Sequence, residues 1–173
     1  MATQFFRRRP TALTRPEFVG QFGAIYEHSS WVAEAAYDAR IHPAHDSLAG
    51  LHAAMVEAVA LAPRERKLAL LRAHPDLAGR LAVAGGLTAA STAEQASADL
   101  DACTPAEFAR FQQLNTAYRQ KFDFPFIMAV RGRSRAEILA AFERRVNNDP
   151  DTEFATALAE VHKIALLRLR DLC

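Results

Sequence analysis

Apolar residues recur along this chain at steps of three and four. Leu48, Leu51, Met55 and Val59 form one stripe, and Phe154, Leu158, Val161, Ala165, Leu169 and Leu172 form another. Such spacing places each set on one face of an α-helix. Four Ser/Thr-x-x-Glu segments mark helix starts: Thr14–Glu17, Ser91–Glu94, Thr104–Glu107 and Ser134–Glu137. In such a capping box the hydroxyl and the carboxylate each accept an otherwise unpaired backbone N–H. Pro105 adds a second start signal after Thr104. The pattern predicts helices near residues 14–26, 30–40, 46–61, 63–73, 75–83, 91–100, 104–122, 134–147 and 150–171. Gly85–Gly86 reads as a loop and Asn147–Asn148–Asp149–Pro150 as the last turn. The expected fold is all-α, a single-domain bundle of about eight to nine helices over residues 14–173, with residues 1–13 as a flexible tail.

One stretch breaks the period. Phe122–Asp123–Phe124–Pro125–Phe126–Ile127–Met128–Ala129–Val130–Arg131–Gly132 is apolar, holds a proline and has no polar positions at helical spacing. It reads as a buried extended segment, either crossing the core or lining a pocket. Without a sheet partner its backbone N–H and C=O groups need partners from elsewhere. A planar, amide-rich ligand is one such source.

A second break falls at Ala73–His74–Pro75–Asp76–Leu77. Proline disfavours the α conformation in the residue before it, so the helix through Leu68, Leu70 and Leu71 must stop near His74. Proline also suits the first position of a new helix, which Pro75 is expected to begin. An imidazole at such a junction can point into a cleft, and its proton moves near neutral pH. A plain packed junction residue is the competing reading.

Composition narrows the classes. The 173 residues are half hydrophobic with a formal net charge of +1, so nothing in the balance asks for nucleic acid or an anionic membrane. No apolar run approaches the roughly 18 residues of a membrane span. Arg7–Arg8–Arg9 is the one basic run, and Pro10, Arg15 and Glu17 follow it where a twin-arginine signal needs an apolar segment. It reads as a solvated tail. Cys103 and Cys173 form no C-x-x-C, and the end Arg170–Asp171–Leu172–Cys173 is not a peroxisomal address, so a cytoplasmic location is expected.

Several motifs together are specific. His74–Pro75–Asp76–Leu77–Ala78, Ser91–Thr92–Ala93–Glu94–Gln95, and Phe124–Pro125–Phe126–Ile127 leading to Arg131–Gly132 occur in that order. With Phe22–Gly23–Ala24–Ile25–Tyr26–Glu27–His28–Ser29–Ser30–Trp31 and the tail from Asn148 to Leu169, they resemble the 2-oxo-4-hydroxy-4-carboxy-5-ureidoimidazoline (OHCU) decarboxylases of urate breakdown. The resemblance implies an all-helical lyase without cofactor or metal, often a homodimer, that converts OHCU to (S)-allantoin and carbon dioxide. Carried over by position, His74 matches the catalytic histidine and Glu94 its acidic partner. Pro75, Ser91 and Gln95 match pocket and substrate-binding positions. Phe126, Ile127, Met128, Ala129 and Val130 match the segment whose backbone meets the ring, and Arg168 matches a substrate-binding arginine.

The chemistry asks for little more. OHCU carries its carboxylate on a carbon that bears a hydroxyl and adjoins a C=N bond, so the substrate supplies its own electron sink. The protein must hold the carboxylate out of plane and deliver one proton to one face. A positioned acid or base such as His74 is worth about 10²–10⁴ in rate. Glu94 favours the imidazolium; the helix N-terminus expected at Pro75 opposes it.

Each assignment has a plainer rival. Glu94 and Ser91 also fit a capping box, and Arg168 also fits a surface pair with Asp171. His42, His45 and His52 hint at a metal-dependent hydrolase, although their spacing matches no known ligand pattern and a solvated loop with a core-flanking His52 explains them. A non-catalytic helical module binding a ureide or purine-like ligand is the other competing function.

Overall fold

Three of the four capping boxes form as the spacing predicts. Thr14 with Glu17, Thr104 with Glu107 and Ser134 with Glu137 each close the reciprocal pair of hydrogen bonds at a helix start. The structure, a computed structural model, describes residues 3–78, 88–98 and 100–173, and residue 101 in its backbone alone. Among these are eight α-helices: α1 (Arg15–Phe22), α2 (Trp31–Asp38), α3 (Leu48–Leu61), α4 (Arg64–Arg72), α5 (Ala89–Ala96), α6 (Pro105–Phe122), α7 (Arg135–Arg145) and α8 (Pro150–Arg170). Short 3₁₀ turns lie at Pro10–Ala12, Pro43–Asp46 and Leu100–Ala102. The class is all-α, and no described helix is long and apolar enough to cross a membrane.

The chain divides into two compact units, Met1–Ala73 with His162–Cys173, and His74–Val161. In the first, the predicted stripe Leu48, Leu51, Met55 and Val59 is buried along α3. Gly50 is needed there, because a Cβ would stand 2.0 Å from the carbonyl oxygen of Ala44. Phe18 packs against Phe22 and Tyr37 with ring centroids 4.8 and 5.2 Å apart.

The segment expected as a flexible tail is docked in this unit. Phe6 is buried with its ring 5.3 Å from that of Phe22, and its N–H donates to the Asp46 carbonyl. The N–H and hydroxyl of Thr11 both donate to the Asp46 carboxylate at 2.9 Å. Arg7, Arg8 and Arg9 remain exposed, as the sequence implied. The error lay in reading the basic run and passing over the aromatic pair before it: burying a phenylalanine is worth about 1.5–3 kcal/mol, enough to anchor a short segment.

The second unit is built on α6, α7 and the first part of α8. Tyr118, Phe126 and Phe142 meet in an aromatic cluster, with Phe126 and Phe142 stacked at 3.9 Å. Residues 125–130 run without regular structure, as the aperiodic composition predicted, and a turn with Gly132 at φ +77° closes them. The left-handed φ at Gly132 is one that residues with a Cβ adopt only at a cost.

Two helix starts differ from expectation. The helix predicted from Pro75 does not form over residues 75–78, where the chain makes an irregular turn ending at Ala78 with φ +48°. Its remaining residues 79–83, like the Gly85–Gly86 loop, lie outside the described residues. The helix predicted from residue 91 starts at Ala89 instead, because Thr88 is the N-cap and its hydroxyl accepts from the Ser91 N–H at 3.3 Å.

Candidate active site

That shift of two residues changes what Ser91 and Glu94 are for. They lie inside α5, where no capping box is needed, so the plainer reading of this motif falls. Ser91 and Gln95 are buried, at 4% and 5% exposed, and Glu94 is half-buried one turn after Ser91. Helical spacing of three and four residues makes these side chains neighbours.

His74 follows the end of α4, which closes at Arg72 with the Ala73 N–H bonded to Ala69. The imidazole is buried at 6% exposed, and Pro75 beside it is half-buried. Over residues 76–78 its loop is held by side chains. The Gln95 carboxamide accepts from the Ala78 N–H at 3.0 Å and donates to the Asp76 carbonyl at 3.2 Å. Gln112 donates to the Ala78 carbonyl at 2.9 Å, and Asn115 to the Leu77 carbonyl at 3.0 Å. Arg119 Nε meets the Asp76 carboxylate at 2.8 Å. Sequence reasoning missed Gln112, Asn115 and Arg119; their shared face of α6 was the available signal.

The extended segment is anchored in a similar way. Arg145 donates to the Ile127 carbonyl at 2.8 Å and lies over the Phe126 ring at 4.5 Å. The Ala129 N–H donates to Glu160 at 2.9 Å. Two of the backbone groups that the sequence left wanting partners thus find them within the protein. Arg145 is held in turn by fully buried Glu153, which also accepts from Asn148 at 2.7 Å and from the Tyr118 hydroxyl. Burial, and then the neighbouring carboxylate, push the Tyr118 hydroxyl well above its ordinary pKa, so it stays protonated and donates.

The remaining predicted residue, Arg168, belongs to the first unit and is not on the surface. Its Nη1 lies 2.9 Å from Glu27 and 3.3 Å from the Ile25 carbonyl, with both charged side chains buried. Glu27 belongs to the N-terminal motif, and nothing in its spacing pointed to this pairing. The histidine cluster does not assemble: the His42 and His45 rings meet at a tilt of 46° with centroids 3.9 Å apart, while His52 Nε2 bonds the His162 carbonyl at 2.9 Å. Among the described residues no three His, Cys, Asp or Glu side chains converge as metal ligands. His162 Nδ1 pairs with the Tyr26 hydroxyl at 2.9 Å.

An all-helical scaffold with a buried histidine on a braced loop, beside a helix face bearing Ser91, Glu94 and Gln95, suits acid–base chemistry on a small polar molecule. The sequence matches the OHCU decarboxylase family over residues 11–170, and the chain belongs to that family of carbon–carbon lyases. The 2-oxo-4-hydroxy-4-carboxy-5-ureidoimidazoline decarboxylase of Haloferax volcanii is 51% identical over 154 residues, covering 89% of this chain and 88% of that protein. A uric acid degradation bifunctional protein of Bacillus sp. is 38% identical over 92% of this chain and 30% of its own length. Among solved structures, an (S)-allantoin synthase superposes with a TM-score of 0.73 at 37% identity, over 94% of this chain and 52% of that one.

Proposed function

We propose that this protein decarboxylates OHCU to (S)-allantoin in urate breakdown, with His74 as the acid–base group and Glu94 as its partner. The observation that carries the reading is His74 itself: a buried imidazole, in a chain of this family, on a loop that departs from the helix its sequence favours.

The chemistry follows from the substrate. The C–COO⁻ bond breaks and carbon dioxide leaves. The electron pair moves toward the adjoining C=N bond, whose nitrogen takes up the charge and a proton. This leaves an enol at the hydroxyl-bearing carbon. A proton delivered to the neighbouring carbon, with loss of the hydroxyl proton, gives the keto product and sets its configuration. His74 takes the hydroxyl proton and supplies the one that reaches carbon, and Glu94 holds the ring in the tautomer this requires. Ser91, Gln95, Pro75 and the backbone of Phe126–Val130 bind the ring and ureido group. Arg168, already paired with Glu27, meets an anionic oxygen of the substrate.

The unbroken family match over residues 11–170 supports a single decarboxylase domain. We assign it a cytoplasmic location and a homodimeric state, in keeping with the family resemblance; light scattering on the purified protein tests the latter. OHCU decays spontaneously to racemic allantoin, so the decisive experiment reads optical activity. Freshly generated OHCU is given to wild type, to His74→Ala and to buffer. Rapid (S)-allantoin from wild type alone supports the reading. Slow racemic product in all three overturns it in favour of a non-catalytic ureide-binding module.

A further inference from the structure

Gln112, Asn115 and Arg119 lie along one face of α6, and all three end on the residues that follow His74. Together with Gln95 they occupy the carbonyls of Asp76, Leu77 and Ala78, the N–H of Ala78 and the carboxylate of Asp76. A short turn usually meets such needs with water or with its own backbone. Here every one of these partners comes from 17 to 43 residues away in sequence. Asn115 is itself buried at 4% exposed, so its contact with Leu77 is made in an environment where an unmade hydrogen bond is costly.

The braced conformation is not the one the loop would choose. Pro75–Asp76–Leu77 is a helix-start sequence, yet the chain turns away and reaches Ala78 in a left-handed conformation that alanine disfavours. Both backbone polar groups of Ala78 are gripped, by Gln95 and by Gln112. Loss of this grip frees the turn that directly follows His74.

We propose that Gln112 and Asn115 are positioning residues of the reaction: they act through the loop to aim the His74 imidazole and do not touch the substrate. The inference rests on the acid–base reading of His74. Misplacing a reacting group by about 1 Å costs on the order of 10²-fold in rate, so loosening this brace reads out in kcat and leaves KM nearly unchanged.

The test uses Gln112→Glu, which puts an acceptor against the Ala78 carbonyl, and Asn115→Asp, which does the same at Leu77. Gln112 is only half-buried, so its variant is the one expected to keep the fold if the Asn115 variant does not. Each substitution is made in the wild-type protein, with the enzyme-dependent rate measured above spontaneous decay, and His74→Ala is measured alone beside them. The His74 ring resonances are followed by NMR in each variant. The expected result is a fall in kcat of about ten- to a hundredfold with KM nearly unchanged, and a shift of the His74 resonances.

Unchanged kcat and unchanged His74 resonances in a folded Gln112→Glu protein overturn the proposal. So does a raised KM at unchanged kcat, which would mean that the amides act on substrate binding and not through the imidazole. Full turnover by His74→Ala alone is a different failure. It removes the acid–base reading, while the ring resonances still decide whether the brace orients the side chain.

Discussion

Arg168 Nη1 lies 2.9 Å from Glu27 Oε2, and the two side chains are 7% and 2% exposed. A guanidinium so paired is close to neutral as a unit, which bears on decarboxylation directly. A free cation that gripped the departing carboxylate would stabilise the ground state and slow the reaction. On the proposed role of Arg168, its pairing with Glu27 tempers such a grip. Glu27→Gln is expected to lower stability by about 3–5 kcal/mol, because it removes one partner of a buried ion pair. On the proposed role of Arg168 it also lowers KM and kcat together. Denaturant unfolding and steady-state kinetics check the two effects; a raised KM at constant kcat would make Glu27 a structural support alone.

The Arg145–Glu153 pair predicts a different pattern. Arg145 joins the Ile127 carbonyl, the Phe126 ring and the fully buried Glu153 carboxylate. Arg145→Lys keeps the charge but loses the planar fork that serves two partners at once. It is expected to destabilise the fold by about 1–3 kcal/mol, as an incompletely paired buried group does, and to raise KM through a displaced Phe126–Val130 segment. Thermal unfolding with KM measured below the transition separates these. A KM equal to wild type would show that this segment does not meet the substrate.

Ser134 and Ser91 offer a paired comparison. Ser134 accepts from the Glu137 N–H at 3.3 Å and is an exposed N-cap, whereas Ser91 is buried within α5 and Thr88 caps that helix. Ser134→Ala should cost about 1 kcal/mol of stability with kcat and KM unchanged. Ser91→Ala should raise KM with little change in the unfolding midpoint. The reverse assignment of effects would return Ser91 to a structural role.

These contrasts show what was legible along the chain. The stripe on α3 and the three true capping boxes were readable because their partners sit within one or two turns. Aperiodic residues 125–130 were readable for the same local reason. Ser91–Glu94 misled because the motif was satisfied in form while Thr88, three residues earlier, took the cap. His74 was legible as a junction, but residues 75–78 are not helical: amides from α5 and α6 hold them in a turn that the local start signal does not reveal. The Glu27–Arg168 pair joins the two ends of the sequence, and no spacing rule reaches that far. The docking of Phe6 was not legible because the conspicuous charge run Arg7–Arg9 follows directly on the aromatic anchor.

His162 supplies the pH dependence. Its Nδ1 pairs with the Tyr26 hydroxyl at 2.9 Å, and burial, with a smaller contribution from nearby His52, pushes its pKa down from 6.5 to about 4. Burial also raises the Tyr26 pKa, so the phenol remains the donor and the imidazole the neutral acceptor. Between pH 6.5 and about 4 the unfolded chain therefore binds a proton at this site that the folded chain does not. Linkage then gives the sign: the contribution of neutral His162 is fully present above pH 6.5, is lost progressively as pH falls toward 4, and changes no further below that. The slope from this one group stays below about 1.4 kcal/mol per pH unit. His162→Gln retains an acceptor for Tyr26 and cannot titrate. Denaturant unfolding of both proteins at several pH values is expected to show a shallower acid decline for the variant over that window, with the curves parallel above it. Parallel curves throughout would mean that His162 titrates alike in the folded and unfolded chains, and that its pairing with Tyr26 does not hold it neutral.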